Sequence, residues 1–93
     1  MPLSFPLDGA TAKNRVEVME VLIANGADVN ISIYRSPLHT AVLYNCIEAA
    51  RLLIANGADV NLKSRIHGTP LSVAISVNEQ EMVTLLRSYG AVE

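Results

Sequence analysis

A single cysteine, Cys46, in 93 residues excludes an internal disulfide framework. Excess charge is missing too: seven Lys and Arg stand against nine Asp and Glu, a balance with no general attraction for nucleic acid or anionic lipid. Long apolar runs are also absent. Although 51% of the residues are hydrophobic, runs such as Leu52-Leu53-Ile54-Ala55 reach about one helical turn, far below the ~20 residues that span a bilayer. No basic segment followed by a long apolar stretch opens the chain, so no secretory signal is read there. These absences turn the expectation away from secreted, membrane and polyanion-binding classes and toward an intracellular protein, cytoplasmic or nuclear. At this length the chain forms one domain at most.

Patterns that carry chemistry are equally scarce. No Gly-rich phosphate loop, nucleophile elbow or paired acids occur. His67 has no second ligand at a spacing such as His-x3-His or Cys-x2-Cys. Cys46 opens a helix, a place that can lower a thiol pKa, but the favoured reading is a plain small apolar helix residue. The expectation is a non-catalytic chain with no cofactor and no metal.

What the sequence has is repetition. Leu22 to Asn30 and Leu53 to Asn61 are the same nine residues, LIANGADVN, and LRSYGAVE from Leu86 to Glu93 is a degenerate third copy. Pro-Leu pairs at Pro6, Pro37 and Pro70 set spacings of 31 and 33 residues. From each Pro, an Asn follows eight positions later (Asn14, Asn45, Asn78) and a Gly twenty positions later (Gly26, Gly57, Gly90). Units this short cannot bury an apolar face alone, so they must stack and share one core.

Each unit reads as two short helices and a loop. Ser36 before Pro37, and Thr69 before Pro70, are N-caps followed by Pro at the first helical position, where its missing N–H costs nothing. Leu38, Ala41 and Val42, like Leu71, Ala74 and Ile75, then mark one buried face. Asn45 and Asn78 end this helix, because Asn tolerates the left-handed conformation that reverses the chain. The second helix, with Ile47, Ala49, Ala50, Leu52, Leu53 and Ile54, is apolar except for a stripe at Glu48 and Arg51. That pattern predicts an inner helix covered on several sides. Gly26, Gly57 and Gly90 terminate the second helices, and the stretch from Asp59 to Gly68 reads as a projecting hairpin-like loop.

SPLHTAV at Ser36 to Val42 and TPLSVAI at Thr69 to Ile75, each followed by a helix pair ending in NGADVN or SYGAVE, resemble ankyrin repeats. The resemblance covers nearly the whole chain. It implies an all-α solenoid of about three helix-turn-helix units with projecting loops, as one domain over residues 1–93: repeat one about 5–35, repeat two about 36–68, repeat three about 69–93. In the family, loops and first helices form a concave surface that binds proteins, without catalysis. The chain departs from the family pattern in places. Phe5 and Asp8 replace the capping Ser/Thr and the His in unit one, which reads as a capping repeat. Ser64 replaces the loop Asp, and the loop from Ile31 to Arg35 is two residues short.

His39, in the family's structural slot, is expected to bond the Ser36 hydroxyl and nearby backbone rather than act as a base. The expected protein-binding set is Ile33, Tyr34 and Arg35 in the first loop, Lys63, Arg65, Ile66 and His67 in the second, and Leu43, Tyr44, Ser76 and Val77 at the first-helix ends. The cations carry no acid among them, so the expected partner is a protein with an acidic patch and an apolar centre. Two other readings stand beside it. Leu-x5-Asp-Val-Asn, ending at Asn30 and Asn61, resembles the site that intracellular 2-oxoglutarate-dependent asparaginyl hydroxylases modify in ankyrin repeats. Apolar residues in the terminal repeats, with Val73, Ile75, Val77, Met82 and Val83 in unit three, favour homo-oligomerisation or stacking on further repeats, unless Gln80, Glu81, Thr84, Arg87 and Ser88 form a polar cap.

Overall fold

The computed structural model describes residues 4–31 and 35–93. Within them run six helices: α1 (Ser4–Ala12), α2 (Val16–Ala24), α3 (Pro37–Leu43), α4 (Ile47–Ala55), α5 (Pro70–Ser76) and α6 (Gln80–Ser88). They pack as three pairs, α1 with α2, α3 with α4, and α5 with α6. Neighbouring pairs join through the first helices, α1 to α3 to α5, and through α2 to α4. No helix among the described residues is long and apolar enough to cross a membrane.

The repeated Asn and Gly act where the chain must turn. Asn14, Asn45 and Asn78 have φ of 54°, 53° and 59°, and Gly26, Gly57 and Gly90 have φ of 97°, 94° and 89°. Each left-handed residue lets the next amide turn back and satisfy a helix-end carbonyl. Cys46 N–H bonds the Ala41 carbonyl at 2.8 Å, and Ala58 N–H bonds the Leu53 carbonyl at 2.9 Å. The same closure recurs at Arg15, Ala27, Glu79 and Ala91. This is the Schellman arrangement, and it terminates both helices of every unit.

At the helix starts, Ser36 Oγ accepts the His39 amide and Thr69 Oγ1 accepts the Ser72 amide, with Pro37 and Pro70 opening the first turn. The second helices start on Arg15, Cys46 and Glu79, none of which makes a side-chain cap.

One apolar cluster runs through all three pairs, with Leu7, Met19, Leu38, Leu53, Leu71, Met82 and Leu86 at its centre and Leu22 packed against it. The expectation that the second helix is the inner one is reversed. In α3 every residue from Pro37 to Val42 is buried, whereas in α4 only Ala49, Ala50 and Leu53 are. The first helices pack on one another as well as on their partners. They can tolerate that burial because their polar groups are satisfied internally. Thr11 Oγ1 donates to the Leu7 carbonyl at 2.7 Å, and Ser36 and His39 bond each other. The second helices keep Glu17, Glu20, Glu48, Arg51, Glu81, Thr84 and Arg87 in water.

Candidate protein-binding surface

The second loop is a closed turn. Ser64 N–H donates to the Gly68 carbonyl at 2.9 Å and Gly68 N–H donates back to the Ser64 carbonyl at 3.2 Å. Ser64 Oγ, standing where the family has Asp, accepts the His67 amide at 2.8 Å and so still braces the turn. Gly68 has φ of 71°, and a Cβ there would lie 3.1 Å from Ser72 Oγ, so both conformation and space ask for glycine. This geometry turns Lys63, Arg65 and Ile66 outward, with His67 half-buried.

His39 ties that loop to α3. Its Nε2 lies 2.8 Å from the Gly68 carbonyl, which can only accept, so Nε2 carries the proton. Nδ1, 2.7 Å from Ser36 Oγ and 3.3 Å from Ser36 N, is then the acceptor. Both ring nitrogens are used and the ring is fully buried. Burial lowers its pKa, helped by His67 and Arg35 and opposed by the bond to Gly68. A neutral ring with no free nitrogen serves as a strut and not as a base.

Arg35 folds back onto unit one. Its Nε donates to Thr40 Oγ1 at 3.0 Å, and Thr40 Oγ1 donates to Asp8 Oδ1 at 2.5 Å. The guanidinium also lies 3.9 Å from the other Asp8 oxygen. Asp8, which departs from the family's His, thus becomes one link between the first two units. Ile33 and Tyr34, also expected in the binding set, lie outside the described residues.

At the other end of the first helices Tyr44, Ser76 and Val77 are exposed and Leu43 is half-buried. Ile75, expected on the buried face of α5, is not covered there. Its counterpart Val42 is buried, but Ile75 is exposed beside Val77. The three-residue links are legible in sequence, so the residue beside each helix end was the available signal.

Asn30 and Asn61 join neighbouring units. Asn30 Nδ2 donates to the Gly57 carbonyl at 2.9 Å while its Oδ1 accepts the Asp59 amide at 2.7 Å. Asn61 repeats this on the Gly90 carbonyl at 3.3 Å and the Val92 amide at 2.8 Å. Asn14 adds a third link through Oδ1, which accepts the Ala49 amide at 3.0 Å. Cys46 is buried, with Sγ 3.7 Å from the Ala12 carbonyl. Burial pushes its thiol pKa up, with Glu79 adding to the rise, so the helix N-terminus does not activate it.

The family model for ankyrin repeats in three copies matches residues 7–92. No curated protein matches the chain. Ankyrin repeats are generally non-catalytic protein–protein interaction modules. Its capped, stacked helix pairs and nearly full-length match make the chain a member of the ankyrin repeat family.

Proposed function

We propose that the chain binds another protein through its second loop and the ends of its first helices, and that the bound patch is acidic around an apolar centre. The observation that carries this reading is the tip of the second loop. Ile66 is 69% exposed on a braced turn, flanked by Lys63 and Arg65, which are also exposed, and no acidic residue lies between Leu62 and Thr69. Bracing lowers the ordering cost of binding. Tyr44 and Val77 offer apolar anchors at the far end of α3 and α5, helices of seven residues each and therefore about 10 Å long. The two ends frame a surface of a size suited to an extended segment or a loop of a partner.

Within this reading the cations divide. Lys63 and Arg65 serve attraction, while Arg35 is engaged with Asp8 and Thr40. Affinity capture from a lysate, with the Lys63→Glu/Arg65→Glu chain as control, tests the proposal. A partner captured by the parent and lost from the variant supports it; equal capture by both rules the loop out. The hydroxylation reading rests on the residue pattern alone, because the structure gives both asparagines a job in joining units. A mass gain of one oxygen at Asn30 or Asn61 after incubation with such a hydroxylase would establish it.

A further inference from the structure

A groove runs between the second helices of units one and two. Glu20, Ile23 and Ala24 of α2 face Leu52 and Asn56 of α4 across an open cleft of about 360 Å³. Ile23 and Leu52 pack against the core from one side and are only half-buried, so each leaves an apolar edge in the cleft. Ala24 is too small to close it.

The rim of this cleft is acidic. Glu20 stands on the α2 wall, and Glu48, one turn before Leu52 on the same face of α4, extends the other wall. Both are exposed, and neither pairs with a cation among the described residues. Arg51, although next to Leu52 in sequence, holds on α4 the slot that Glu20 holds on α2 and is not part of the lining. Lys13 and Arg15 precede α2, whose later turns form the wall. Between α4 and α6 the corresponding slots carry Arg51, Ile54, Leu85 and Tyr89, with Leu85 buried. A carboxylate beside a half-open apolar floor is therefore particular to units one and two.

The chain also carries the complement of this cleft. Ile66, 69% exposed, sits at the tip of the second loop beside Lys63 and Arg65, and no acid lies between Leu62 and Thr69. One apolar side chain among cations thus matches one apolar floor among carboxylates. The paired Ser64 and Gly68 bonds close the turn, and His39 holds it to α3, so the tip is presented in shape before any contact forms. Because Ile66 is exposed, the cleft of its own chain does not hold it.

We propose that the cleft formed by Glu20, Ile23, Ala24 and Leu52, with Glu48 on its rim, receives the tip of the second loop of another copy of this chain. Ile66 seats on Ile23 and Leu52, and Lys63 and Arg65 lie against Glu20 and Glu48. The inference rests on the reading of the second loop as a binding element, and it names the acidic patch with an apolar centre that this loop takes. A single turn in one cleft buries little area, which places the contact in the weak and transient class. Its exposed ion pairs act on association rate and salt dependence more than on affinity. A seated tip is unavailable to any other partner, so self-association and partner binding compete.

The test is sedimentation equilibrium of the full chain over a concentration series at low and high salt. Average mass is expected to rise with concentration at low salt and to return toward the monomer at about 0.5 M salt, where screening is short-ranged. Two variants, Lys63→Glu with Arg65→Glu and Glu20→Lys with Glu48→Lys, should each raise the dissociation constant at least about tenfold, with circular dichroism showing that both remain folded. Mixed in equal amounts, the two should associate again, because the groove variant supplies a native tip and the loop variant a native cleft. Ile66→Ser should weaken association of an otherwise unchanged chain. A parent that stays monomeric at high concentration and low salt, association that survives either charge reversal or Ile66→Ser undiminished, or a mixture that stays monomeric would overturn the proposal. The reading of the loop as a binding element fails separately, on equal capture of a lysate partner by the parent and by the Lys63→Glu/Arg65→Glu chain.

Discussion

Replacing Asn30 by Ala removes two hydrogen bonds that connect units one and two, to the Gly57 carbonyl and from the Asp59 amide, and leaves both backbone groups unpaired. A hydrogen bond contributes about 0.5–1.5 kcal/mol net. Because Asn30 and its partners are exposed, water takes over part of the loss, and the expected cost is about 1–2 kcal/mol. With a urea slope of about 1–2 kcal/mol/M for a small domain, the midpoint should fall by about 0.5–2 M. The control is Asn25→Ala, which loses one bond to the Val21 carbonyl within its own helix and should cost about 0.5 kcal/mol or less. Asn30→Asp separates the two bonds. Its carboxylate can still accept the Asp59 amide but faces the Gly57 carbonyl with no proton, so the variant should be weak at neutral pH and recover as the carboxylate protonates near pH 4. The assay is equilibrium urea unfolding followed by far-ultraviolet circular dichroism. If Asn30→Ala and Asn25→Ala are equally mild, the bridging role of the asparagines is refuted.

Three further outcomes are expected. His39 has a pKa lowered by burial, so the unfolded chain binds its proton more readily than the folded one; stability should be full above about pH 6.5 and decline as pH falls below it toward the folded value, and this dependence should vanish in His39→Gln, as urea midpoints between pH 5 and 8 would show. Cys46, buried and with its thiol pushed up, should react with iodoacetamide far more slowly in the native chain than in urea, and equal rates would contradict its placement. Reversing Lys63 and Arg65 to Glu should slow association with the captured partner at low salt while leaving the unfolding free energy from urea titration within about 0.5 kcal/mol of the parent; Arg35→Glu, by contrast, should also lower stability, because it sets a second carboxylate against Asp8.

The turns were the most legible part of the fold, because a positive φ restricts which residues can stand there. Asn14, Asn45 and Asn78, and the glycines that close the second helices, announce their conformation without tertiary context. The caps at Ser36 and Thr69 are similarly local. Burial was not legible in the same way. Both helices of a unit are apolar, and the sequence pattern favoured the second as the inner one because it cannot reveal that α3 is packed by α1 and α5 at once. His39 and Thr40 make α3 look more polar than its surroundings are, since the partners that satisfy them lie far away in sequence, Gly68 at the end of the following loop and Asp8 in another unit. The same limit applies to the binding surface. Sequence places Arg35 among loop cations, but its pairing with Asp8 depends on the stacking of two units. Val18 and Val21 look like their counterparts in sequence, and only the stack shows that they have been left uncovered.

The central claim is that three helix pairs share one interior. Leu53, fully buried in the middle unit within the continuous cluster, is the residue on which that claim bears most. The decisive measurement is the urea unfolding of Leu53→Ala. A single transition that has lost about 2–5 kcal/mol is expected; a loss under about 1 kcal/mol, or separate unfolding of the outer units in the parent chain, would contradict a shared core.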